Sequence, residues 1–214
     1  LMEKQHNRGQ DGAGIANIKI DVVSGHRYIS RYRSIKPQPV GQLFKKIGKK
    51  YKKAQKQGKD KFKNERWLKE NVAFTGELWL GHLRYGTHGL NSIENVHPFL
   101  RQNNWRSRNL VMAGNFNMTN VDELFDLLVD LGQHPKEKVD TVTVMEKIGH
   151  FLDEEVQSTF ERYKDKYSNR EISEIIEHEL DLERVLKRAC KDFDGGYTMA
   201  GLTGSGSSFV VRDP

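Results

Sequence analysis

Four short stretches set rigid polar groups where a strand end or a tight turn would hold them. In Gln5-His6-Asn7-Arg8-Gly9-Gln10-Asp11-Gly12-Ala13-Gly14, an Arg–Asp pair sits among three glycines. In Gly81-His82-Leu83-Arg84-Tyr85-Gly86-Thr87-His88-Gly89, Arg84 closes a strand-like run, with Tyr85 and Thr87 beside it. A guanidinium there suits a carboxylate, because its planar fork gives two parallel charge-assisted bonds. The third stretch is Asn95-Val96-His97-Pro98-Phe99. The fourth, 113–120, carries Asn115, Asn117 and Asn120 between a strand and a helix. An asparagine side chain with a neighbouring backbone N–H makes a suitable neutral oxyanion hole.

Each stretch has a plainer reading. Glycine-rich segments often only turn, Arg84 could equally meet a structural aspartate, and Asn115 and Asn117 could be turn residues. His82, His88 and His97 match no zinc spacing and have no nearby cysteine, so no metal is expected. Gly201-Leu202-Thr203-Gly204-Ser205-Gly206 lies between two strands, whereas a phosphate cradle leads from strand to helix, so a hairpin turn is expected. Cys190, on an apolar-periodic helix, reads as a packed thiol and not a nucleophile.

The elements that must position these groups follow from periodicity. Residues 13–20, the end of 22–32, 77–85 and 110–113 read as strands. Asn120 starts a helix, with Glu123 three residues on and Val121, Leu124, Phe125, Leu128 and Leu131 at helical steps; Gly132 ends it. Residues 141–152 and 172–189 repeat that pattern, and 153–170 read as loop or surface helix. Tyr197–Leu202 and Ser208–Val211 form a hairpin. Strands at both ends and helices between them predict an α+β layered fold, not a doubly wound sheet.

Composition narrows the class. The 214 residues are 36% hydrophobic and 30% charged and include a single cysteine, which excludes a disulfide framework and points to a reducing, cytoplasmic setting. No apolar run approaches the ~20 residues of a membrane helix, and the start lacks a secretory signal. The net charge of +6 is concentrated: 36–70 holds thirteen Lys or Arg against three acidic residues, a local +10 that leaves −4 elsewhere. With aromatics sparse in that block, a solvated helical insertion is expected and nucleic acid is not expected as a partner. A start at Leu1 and an end straight after a strand-like run read as a piece of a longer protein.

Taken in order, HNRGQDGAG, GHLRYGTHG, NVHPF, AGNFNMTN with its helix, Val139-Asp140-Thr141, DGGYTMAGLT and VVRDP resemble the class II glutamine amidotransferase family. RGQDGAG, NMTN and VRDP lean toward its amidophosphoribosyltransferase branch, which serves purine biosynthesis. GHLRYGTHG with NVHP also resembles the glucosamine-6-phosphate synthase branch, and a non-catalytic glutamine-binding or partner-binding relative is a further alternative. The resemblance implies an N-terminal-nucleophile hydrolase fold, a four-layer sandwich of two antiparallel sheets between helices, here without its first strand. It spans the chain outside 36–70 and 153–172 as one domain, 1–214, with a phosphoribosyltransferase domain expected to follow.

It also implies a glutaminase. An N-terminal cysteine, absent from this chain, attacks the glutamine side-chain amide, and ammonia passes to the second domain. Arg84 would grip the substrate carboxylate, with Tyr85 and Thr87 beside it. Asp140 would hold the α-amino group, Asn115 and Phe116 would form the oxyanion hole, and Arg8 would lie near the nucleophile. Without the cysteine the chain as it stands should be inactive. The family pattern has His-Asn-Gly at the oxyanion hole where this chain has Gly114-Asn115-Phe116, and Phe116 is expected to tighten that turn. No cofactor, no membrane and a homo-oligomer are expected.

Overall fold

The structure, a computed structural model, describes residues 1–86 and 92–213, apart from the side chain of Lys59. The fold is α+β, with two antiparallel sheets flanked by helices, in two compact units, Leu1–Pro98 and Phe99–Pro214. Among the described residues no helix is long and apolar enough to cross a membrane.

The first unit opens with a 3-10 turn, Met2–Arg8, and builds a sheet from β1 (Gly12–Ile18), β2 (Ile29–Ser34) and β3 (Leu78–Arg84) in the order β2-β1-β3. β1 is the central strand and is buried throughout, as its small and apolar residues allow. Its one amide, Asn17, is fully satisfied: Nδ2 donates to the Gly76 and Leu78 carbonyls and Oδ1 accepts from Gly76 N–H. That closes a buried polar site without cost and ties β1 to the start of β3.

The basic block forms α1 (Pro39–Gln55), α2 (Lys59–Lys63) and α3 (Glu65–Asn71). Pro39 fits the first helical position, where its missing N–H removes no bond. Val40, Leu43, Ile47 and Ala54 recur at helical steps on one buried face. Val40, Leu43 and Ile47 pack with Ala13, Ile15 and Phe74 into the core of this unit. Leu43 is fully buried, so the block is part of the core as well as a solvated surface.

The second unit has β4 (Phe99–Arg101), β5 (Leu110–Met118), β6 (Gly195–Thr203) and β7 (Ser208–Arg212) in sequential order, all antiparallel. Its helices are α4 (Val121–Asp130), α5 (Asp140–Tyr163), α6 (Asn169–Glu179) and α7 (Leu182–Cys190). Leu110, Met112, Leu124, Val144, Ile148 and Val185 join sheet and helices in one core.

Three sequence expectations change. The strand expected over 110–113 continues to Met118, so Gly114-Asn115-Phe116 is strand and not a turn. Gly114 to Met118 pair in register with Met199 to Gly195, and that pairing outweighs the turn preference of the asparagines. The loop or surface helix expected over 153–170 is mostly α5, whose buried Val156 and Thr159 continue its apolar stripe past the charges. The helix expected over 172–189 is two helices, because Asp181 caps α7 by accepting from Arg184 N–H.

Candidate functional site

In the first unit, the site begins where the turn after Arg8 meets the end of β3. Asp11 N–H donates to the Arg84 carbonyl, and Gly86 N–H donates to Asp11 Oδ2 at 2.7 Å. Gly9 lies so close to this strand that a Cβ would stand 2.7 Å from the Leu83 carbonyl carbon. Gly14 is tighter still, with a Cβ position 1.9 Å from the His97 carbonyl oxygen. Two glycines of the first motif thus admit the second and third motifs against the sheet.

The NVHPF segment is held by guanidinium groups on its carbonyls. Arg33 Nη1 donates to the Glu94 and Val96 carbonyls, Arg31 Nη1 to Pro98, and Arg84 Nη1 to Asn95 at 2.6 Å. Burial lowers the pKa of both Arg31 and Arg33. These two were missed in the sequence, although arginines at alternate positions of a strand share one face and can together meet one segment. Arg84 Nε is buried with no hydrogen-bond partner among the described residues. A buried cationic donor left unmatched favours an incoming acceptor, because its desolvation is otherwise uncompensated.

His97 is buried and stacks on His82 with ring centroids 4.6 Å apart. Burial first, then the charges of His82, Arg84 and Arg33, lower its pKa to about 3, so it is neutral at ordinary pH. Arg8 ends the 3-10 turn and is exposed; Tyr85 is exposed. Thr87 and His88 lie outside the described residues.

In the second unit, Asn115 and Asn117 project from one side of β5 and are exposed. Phe116 turns the other way, folds over Gly114 and packs on the core, so its bulk tightens no turn. Asp140 is the first residue of α5, where the helix dipole favours an acid, and its Oδ2 accepts from Met118 N–H at 3.2 Å. Asp140 is therefore anchored to the end of the strand that carries Asn115.

Asn120 binds the 192–194 segment: Nδ2 donates to the Asp192 carbonyl and Oδ1 accepts from Asp194 N–H. From below, Lys147, almost fully buried, donates to Asp192 Oδ2 at 2.8 Å and lies over the Phe193 ring. Cys190 packs on the core with its thiol pushed up to about 11 by burial, which suits a structural thiol and not a nucleophile. Lys147 went unnoticed in the sequence because a lysine inside an amphipathic helix reads as surface.

Arg8, Arg84 and Tyr85 thus belong to the first unit, and Asn115, Phe116 and Asp140 to the second. No protein-family model and no curated protein matches the chain. Solved structures do. The whole chain matches one titled as the glutamine phosphoribosylpyrophosphate (PRPP) amidotransferase from B. subtilis complexed with ADP and GMP, at 21% identity and a TM-score of 0.56. It likewise matches the allosteric regulatory enzyme of purine biosynthesis, at 21% identity and a TM-score of 0.59. In both cases the chain spans 33% of the matched chain's length. The chain shares the α+β fold of these structures, two antiparallel sheets flanked by helices.

Proposed function

We propose that the chain is the glutaminase domain of a class II glutamine amidotransferase of the amidophosphoribosyltransferase type, acting in the cytoplasm. It would release ammonia from glutamine for a following phosphoribosyltransferase domain, in a homo-oligomer. The observation that carries this reading is Arg84. Its Nη1 is fixed on a peptide carbonyl while its buried Nε has no partner among the described residues, which suits the carboxylate of a free amino acid. Asp140 would meet the ammonium end, with Tyr85 and Thr87 beside the substrate and Arg8 near the nucleophile. The Asn115 amide and the Phe116 N–H would stabilise the oxyanion.

In the reaction, a thiolate adds to the side-chain amide carbon, the tetrahedral oxyanion collapses, and the C–N bond breaks as the nitrogen takes a proton and leaves as ammonia. Water then hydrolyses the thioester to glutamate. Cys190 does not fit that thiol, so the reading requires a cysteine at the mature N-terminus of the native protein. The test is to sequence that N-terminus and assay ammonia release from glutamine. Turnover with cysteine first is expected; another residue there, with no ammonia, would defeat it.

A second reading, a relative that binds glutamine without turnover, is favoured by the strand geometry of Asn115 and Phe116. Calorimetry separates the two: tight binding with no ammonia released supports the second.

A further inference from the structure

Residues 36–59 carry nine lysines and no acidic residue. The apolar face of α1 is packed into the core, which leaves Lys45, Lys46, Lys49, Lys52, Lys53 and Lys56 exposed. At 100° per residue they form a stripe about 120° wide opposite the buried face and about 16 Å long. Gly41 and Gly48 border the stripe with open space around them, so no bulky side chain shields it. The acid nearest in sequence is the exposed Asp60 on α2, and on α3 Glu70 pairs with Arg66 and Glu65 with Lys69.

We propose that this stripe binds the phosphate backbone of double-stranded nucleic acid, without reading sequence. The sequence alone favoured a merely solvated face; the structure adds that the charges share the exposed side of one helix. A stripe of point charges suits a linear polyanion, whose condensed counterions are released on contact. Lipid surfaces suit it less, because a helix lying in an interface needs its apolar face for the acyl region, and this one is buried. Carboxylates of a partner protein suit it less, because exposed lysine–carboxylate pairs add little each. Phe44 is the exposed aromatic of α1, and the stripe has no arginine, which fits backbone contact and not base readout.

The test is fluorescence anisotropy of the full-length protein with labelled 20-base-pair DNA and RNA duplexes between 50 and 200 mM KCl. Five phosphate contacts predict about a 500-fold loss of affinity over that fourfold rise in salt. Changing Lys45, Lys49, Lys52, Lys53 and Lys56 together to Gln should abolish binding at 50 mM, and changing the same five to Arg should keep it. Lys187→Gln on α7 should leave it unchanged. Both duplexes should bind within about tenfold of each other. The proposal is overturned by no binding at 50 mM, by retained binding in the Gln variant, by binding of one duplex only, or by stronger competition from polyglutamate or phosphatidylserine vesicles at equal charge.

Discussion

The two units treat their cations differently. In the second unit, guanidinium and ammonium groups meet carboxylates: Arg101 bridges Glu146 and Asp153, Arg184 pairs with Glu155, Arg188 with Glu154, Lys187 with Glu183 and Lys147 with Asp192. In the first, away from α3, side-chain donors reach carbonyls: Arg31, Arg33 and Arg84 hold residues 94–98, with the Glu94 carboxylate also acting on Arg33, and Lys19 Nζ donates to the Arg27 and Lys69 carbonyls. A carbonyl positions a cation without cancelling its charge. The second unit thus uses charge to pack helices, and the first keeps positive potential beside the residues proposed to meet a carboxylate.

The contrast can be broken at several points. The largest effect is expected from Gly14→Ala, which puts a methyl against the His97 carbonyl and should cost more than about 3 kcal/mol by urea denaturation. Loss of the segment held by the three arginines should accompany it. Next, Arg101→Met strands two partly buried carboxylates and should cost about 3 kcal/mol.

A pH effect of intermediate size belongs to the first unit. His97 has a folded pKa near 3 against about 6.5 unfolded, so the unfolded chain binds the extra proton. Its contribution is fully present above about pH 6.5 and is lost as pH falls toward 3. At pH 5 the loss should reach about 2 kcal/mol relative to neutral pH, and His97→Gln should flatten that slope in denaturant titrations. The smallest effect should come from Lys147→Met, within about 1 kcal/mol by the same method. It removes a buried ammonium whose partner Asp192 stays half in water.

Much of this was legible in the sequence. Asn120 and Gly132 bound a helix, and Gly132 adopts a positive φ just past it. The closing hairpin and the α+β class followed from periodicity. What escaped depends on partners distant in the chain. Asn115 is a strand residue because of β6, Lys147 is buried because of residues 192–194, and Gly14 must be glycine because of His97. Arg84 could be picked out by its place at a strand end, but not the peptide carbonyl that fixes one arm and leaves Nε unmatched.

The most direct test is calorimetric titration of L-glutamine into the protein and its Arg84→Met variant. Saturable binding that weakens about 10- to 150-fold in the variant is predicted, the worth of a charge-assisted contact. No binding to the parent, or equal binding to both, would contradict the carboxylate role of Arg84.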